Sequence, residues 1–270
     1  MRFHRHFLLA CLLAIVISCQ QNSAPSPAAP SLGVATNPAA AWSYEQVIDE
    51  SAWGTAFPDC IGQNQSPINI ITTPNAPAPV GSAPQLSYQS SSFSVVNNGH
   101  TIQFNADDNK NYVMFNGDKY TLRQFHLHAP GEHHVQNASY DMELHLVHQN
   151  ANGQYLVLGV LMQVPTGPAP NTTSDFATVW SEALQLESGP ATCLDGLLNP
   201  SGLLPTTNTV YEYDGSLTTP PCSEAVNWFV FSSPVQISQA NKEGFLALIG
   251  ANNREIQPLN NRTIYILPGI

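Results

Sequence analysis

The chain has 270 residues, 43% of them hydrophobic and only 10% charged, with 8 Lys plus Arg against 19 Asp plus Glu for a formal net charge of −11. So small a charged fraction excludes a charge-rich disordered tail, and a field of that sign repels phosphate backbones, which excludes a nucleic-acid partner. The length admits one large core, and the charge suits a small uncharged partner.

Met1 to His6 carries Arg2 and Arg5, and Phe7 to Ile17 is wholly apolar. An apolar run this short cannot cross a bilayer, which takes roughly 20 residues, and matches a secretory signal over residues 1–18. The expected location is therefore outside the cytoplasm, in the periplasm or cell envelope. Val16-Ile17-Ser18-Cys19 resembles the lipobox of bacterial lipoproteins, in which Cys19 becomes a lipid-bearing N-terminus; ordinary cleavage nearby is the alternative. Any membrane contact would then run through that lipid. Residues 19–41, with prolines at 25, 27, 30 and 38, form an extended tether, and residues 42–270 form one folded domain. Loss of Arg2 and Arg5 with the leader makes the mature chain more acidic still.

Of the five cysteines, Cys11 leaves with the signal, and acylation of Cys19 would leave Cys60, Cys193 and Cys222. An oxidising compartment pairs two of three, and the spacing alone does not choose which.

From Trp42 onward short strands alternate with turn residues. Strands are expected at Tyr112 to Phe115, Thr121 to His128, Asp141 to His148, Tyr155 to Val164 and Val226 to Phe231, which are rich in strand formers. Turns are expected at Asn98-Gly99, Asn116-Gly117-Asp118, Pro130-Gly131, Asn152-Gly153 and Asp214-Gly215. Helix is scarce: Asp175 to Leu186, with Ser174 as N-cap, and Ser238 to Leu248 are the candidates. The fold class is mainly β, in the α+β sense, and no shift in composition after residue 42 marks a second domain.

The chemistry concentrates in Gln124-Phe125-His126-Leu127-His128 and Glu143-Leu144-His145-Leu146-Val147-His148. Alternate residues of a strand share a face, so His126 and His128 project side by side and one metal ion can reach both, with His145 supplying a third nitrogen. Three imidazoles leave the fourth position of tetrahedral zinc open, the mark of a catalytic site. Gln124 shares the face of His126 and His128, and Glu143 that of His145, so both can orient the rings.

Six segments taken together, Gln65-Ser66-Pro67-Ile68-Asn69-Ile70, Asn97-Asn98-Gly99-His100, Gln124 to His128, Gly131-Glu132-His133, Glu143 to His148 and Gly215-Ser216-Leu217-Thr218-Thr219-Pro220-Pro221-Cys222, resemble the α-class carbonic anhydrases, in the right order from Trp42 to about Arg262. The resemblance implies a single domain around a large twisted, mostly antiparallel sheet of about ten strands with short surface helices. It implies Zn2+ on His126, His128 and His145, a zinc-held hydroxide attacking CO2 to give bicarbonate, and Thr218 accepting a hydrogen bond from that hydroxide while donating to Glu132. It places Val147, Val157, Leu217 and Trp228 around CO2, Thr219 at the pocket mouth beside Thr218, and Tyr44 in the water network. His100 matches the proton shuttle, an imidazole whose ordinary pKa suits neutral pH. Gln103 falls at a pocket position where relatives differ. Cys60 pairs with Cys222 by the same resemblance, Cys193 is left odd, and His133 and His148 are read as structural, on the face away from zinc. An exported zinc-binding lipoprotein, or a non-catalytic module on the same fold, is the alternative reading, and the sequence leaves the oligomeric state open.

Overall fold

The computed structural model describes residues 42–44, 52–72, 83–167, 173–206, 209–267 and 269–270. The expected leader, Cys19 and the tether over 19–41 lie outside the described residues.

A helical turn, α1 (Trp53–Ala56), precedes the short strands β1 (Asn69–Ile70) and β2 (Gln85–Ser87). Then follow β3 (Phe93–Asn97), β4 (Ile102–Ala106), β5 (Tyr112–Phe115), β6 (Asp118–His128), β7 (His134–Val135), β8 (Met142–Gln149) and β9 (Tyr155–Gln163). Helix α2 (Ser174–Ala183) leads into β10 (Thr192–Cys193), β11 (Val210–Ser216), β12 (Glu224–Phe231) and β13 (Val235–Gln236). Helix α3 (Gln239–Ile249) and β14 (Tyr265–Leu267) complete the order.

One 12-stranded sheet carries the fold, with a central path β10-β3-β4-β6-β8-β9-β12-β11-β14. Its pairs are antiparallel except where β9 receives β12 and β13 in parallel. The mostly antiparallel mainly-β architecture is therefore present, with a parallel seam through its middle.

Strand alternation divides the side chains between two cores. Phe125 and Leu127 of β6, Leu144 and Leu146 of β8, Leu156 and Leu158 of β9 and Phe229 of β12 join a large core that also buries Phe176, Val179 and Trp180 of α2 and Phe245 of α3. The opposite face of the same strands carries Val147, Val157, Leu161, Val226, Trp228 and Val230 in a second, smaller cluster. That second face holds the histidines. A bulge between Leu122 and Gln124 resets β6 so that Gln124, His126 and His128 all fall on it.

Three local expectations are corrected. The N-cap of α2 is Thr173 rather than Ser174: its Oγ1 accepts from Phe176 N at 3.2 Å and donates to Gly202 O at 2.9 Å, an anchor outside the helix that fixes where the helix starts. The helix ends at Ala183, and Leu184 to Leu186 continue as a looser turn, with Leu186 N donating to Ala183 O at 3.4 Å. Asp214-Gly215 is no turn but lies inside β11 at a bulge. Gly215 is there for contact: a Cβ would stand 2.1 Å from Ser66 Oγ and 2.9 Å from Trp228 Cδ1.

Candidate active site

His126 and His145 face each other in register across β6 and β8, and His128 follows one pleat along. One ring nitrogen from each lies within 4.8 Å of the others, and all three residues are buried. The remaining nitrogens are already committed. His126 Nδ1 donates to Gln124 Oε1 at 2.8 Å, His128 Nδ1 to the Asn252 carbonyl at 2.7 Å, and His145 Nε2 to Glu143 Oε1 at 2.9 Å. These bonds fix the tautomers and leave His126 Nε2, His128 Nε2 and His145 Nδ1 as lone pairs facing one point. His128 Nε2 is buried with no hydrogen-bond partner, as a metal ligand's donor atom would be. Burial, the largest influence on all three, pushes their pKa down, His126 well below the ordinary value and His128 to about 3. Neutral imidazole is the ligating form, so the donor set fits a metal ion.

Glu143 does more than orient His145. Its Oε1 also accepts from His133 Nδ1 at 2.7 Å, and its Oε2 accepts from the backbone N–H groups of Glu132 at 2.9 Å and His133 at 2.7 Å. Burial alone would raise its pKa, but the neighbouring His133 and His145 and their hydrogen bonds hold it well below the carboxylate range. His133 is hydrogen-bonded on through Tyr213 to Ser66, at 2.7 and 2.8 Å. The expectation that His133 faces away from the metal position is thus corrected: it sits directly behind His145, on the same carboxylate. His148 does point into the large core, bonded to Tyr88 and the Leu156 carbonyl.

Two clefts meet at the three histidines. One is lined by His126, His145, Val147, Val157, Leu217, Thr218, Thr219 and Trp228. The other is lined by Trp42, Tyr44, Asn98, His100, Thr101, Gln103, His126, His128 and Thr219. Every residue expected around the substrate therefore converges on one place. The His100 ring stacks on Trp42 with centroids 3.9 Å apart and 11° between planes, and burial lowers its pKa. Trp42 escapes sequence reasoning, since a lone aromatic at a domain's start signals nothing.

Glu132 is buried behind this junction. Its Oε1 accepts from Arg254 N at 2.8 Å, and its Oε2 lies 3.8 Å from His145 Nδ1. Burial raises its pKa well above the usual value, against the pull of the Arg254 N–H and the Thr218 hydroxyl. The loop that carries Thr218 and Thr219 is tied down by a Cys60–Cys222 disulfide, while Cys193 lies exposed on β10. Arg254 clamps the segment at the other end of that disulfide, donating from Nη1 to Gln65 Oε1 and Ser66 O at 2.8 Å and from Nη2 to Cys60 O at 2.9 Å.

A large sheet with three convergent imidazoles on one face, beside a niche that Val147, Val157, Leu217 and Trp228 wall, defines a metalloenzyme for a small, apolar substrate. A family model described as eukaryotic-type carbonic anhydrase matches residues 48–267. A carbonic anhydrase of Neisseria gonorrhoeae is 38% identical over 83% of this chain and 86% of its own. Among solved structures, the Photobacterium profundum α-carbonic anhydrase aligns with TM-score 0.75 at 36% identity, over 83% of this chain and 99% of that one. A complex of the Thermovibrio ammonificans α-carbonic anhydrase with the inhibitor sulfanilamide aligns with TM-score 0.76 at 39% identity, over 84% and 99%. The chain belongs to the α-class carbonic anhydrase family, and is an enzyme of reversible CO2 hydration.

Proposed function

We propose that the metal is zinc, held by His126 Nε2, His128 Nε2 and His145 Nδ1, and that these three with Thr218, Glu132 and His100 form the catalytic machinery. The observation that carries this is the set of three neutral, pre-oriented ring nitrogens where a cleft walled by Val147, Val157, Leu217 and Trp228 meets one lined by Asn98, His100 and Gln103. Zinc held there would supply Lewis acidity, lowering the pKa of a bound water to roughly 7. Thr218 donates its hydroxyl proton to Glu132, so its oxygen can only accept from the reacting water and orients that water toward the substrate. A divalent charge on the adjacent imidazoles favours the Glu132 carboxylate, countering the effect of burial. Val147, Val157, Leu217 and Trp228 exclude water from the niche where CO2 rests, while Thr219 and Tyr44 support the water chain on the polar side. His100 takes the released proton through that chain at the pocket mouth; a pKa lowered from 6.5 leaves it unprotonated and receptive at neutral pH.

The same reading covers the setting. Residues 42–270 act as one catalytic domain on the tether over 19–41, exported by the leader over 1–18, with Cys19 as lipid anchor in the periplasm or envelope. Stopped-flow CO2 hydration by the mature protein, with zinc content measured, tests the chemistry against His145→Ala. Hydration well above buffer background and lost in the variant is expected; background rates from folded, zinc-loaded protein would favour a metal carrier instead. Radiolabelled palmitate incorporated by the full chain but not by Cys19→Ser tests the anchor.

A further inference from the structure

Asn252 follows α3 at 1% exposure and directs its polar atoms to residues far away in the sequence. Its N–H donates to Ala129 O at 3.0 Å and its Oδ1 accepts from Ala129 N at 2.8 Å, while its carbonyl holds His128. The side-chain Nδ2 has two protons and gives them to two carbonyls, His100 O and Leu127 O, each at 2.9 Å. Thr101 Oγ1 donates to that same Leu127 O at 2.6 Å.

Leu127 lies between the ligands His126 and His128. Pairing of β4 with β6 stops at Gln103 and His126, so one residue further on the Leu127 carbonyl is met by a hydroxyl and an amide instead of a neighbouring strand. Both donors belong to the grip on His100: Thr101 is its successor in the chain, and Asn252 holds its carbonyl. The loop on the other side is fixed as well, with Asn98 Oδ1 accepting from His100 N and Thr101 N at 2.9 Å.

We propose that Asn252 and Thr101 are positioning residues for proton transfer, which brace His100 against the Leu127 carbonyl and so set its distance from the metal ligands. The inference rests on His100 as the proton acceptor. A relay through water depends on the span it must bridge, and the brace keeps that span constant without touching any reacting atom. An error of about 1 Å in placing a reacting group can cost on the order of a hundredfold in rate.

The test compares Thr101→Val, which keeps the side-chain shape and deletes the hydroxyl, with Asn252→Ala and His100→Ala, each as mature zinc-loaded protein. At low buffer concentration kcat falls further than kcat/KM in both brace variants, by about fivefold or more in Asn252→Ala, and imidazole in solution restores it. In the His100→Ala background neither substitution lowers kcat again, because the group they position is gone. In metal-free protein the His100 ring-proton resonances, shifted by the stacked Trp42 indole, move toward free-imidazole positions in Asn252→Ala. Equal losses in kcat and kcat/KM, additivity with His100→Ala, or wild-type kcat in both brace variants would each overturn the brace. If Asn252→Ala does not fold, Thr101→Val decides by the same criteria. An undiminished kcat in His100→Ala overturns the shuttle and the brace together, whereas a loss there with no effect of the brace variants overturns the brace alone.

Discussion

The Tyr88 hydroxyl donates to His148 Nε2 at 2.7 Å, with the two rings 7° from parallel. His148 Nδ1 donates to the Leu156 carbonyl at 3.2 Å, so the ring is neutral, with both nitrogens used. Burial pushes its pKa from 6.5 down to about 3. The unfolded chain takes up a proton here below about 6.5 that the folded chain refuses until about 3, so stability rises with pH across that window and is lost as pH falls through it. The contribution is at most about 5 kcal/mol. Urea unfolding of the metal-free protein between pH 7.5 and 4.5 is expected to show a shallower pH dependence in His148→Phe than in wild type; equal slopes would contradict this account.

Glu143→Gln keeps the shape but removes the charge that His133 and His145 share. Weaker orientation of His145 should reduce metal affinity by about 10- to 100-fold, measured by competition with a chromophoric chelator. Stability should fall too, since the backbone donors of Glu132 and His133 lose a charged acceptor.

Val157 is in register with Trp228 on one side and Val147 on the other, at 1% exposure. Val157→Phe has nowhere to place its ring except the niche. Hydration should lose about tenfold or more in kcat/KM with metal content unchanged, read by stopped flow beside metal analysis.

Replacing both Cys60 and Cys222 by Ser opens a link between positions 162 residues apart. Denaturant unfolding should show a loss of about 2–5 kcal/mol. Because Cys222 ends the Thr218-Thr219 loop, CO2 hydration should fall before global unfolding begins.

Much of the site was legible because strand period two puts His126 with His128 and Glu143 with His145 and Val147, and those strands are apolar enough to be recognised. β3, β4 and β11 were not, since Ser94, Asn97, Gln103, Asn105, Glu212 and Asp214 interrupt their apolar pattern. The parallel seam between β9 and β12 leaves no local signal at all. Asn252 was invisible for a different reason: two of its five hydrogen bonds are made by its backbone, and its partners stand on or just past β6 and beside β4, so no spacing within the sequence announces it. His133 looked peripheral because its link to His145 runs through Glu143 rather than through a strand.

The ligands stand on β6 and β8, an antiparallel pair close in the chain, whereas the apolar wall needs β12, which reaches β9 only after a long crossover, and Asn252 comes later still. Local pairings form readily and distant ones late. In a chain folding from its N-terminal side the three imidazoles therefore meet before the apolar wall is built, and the Asn252 carbonyl that orients His128 arrives after both. A lesion confined to β12 should then cost turnover more than metal affinity, whereas one that displaces Asn252 should cost both.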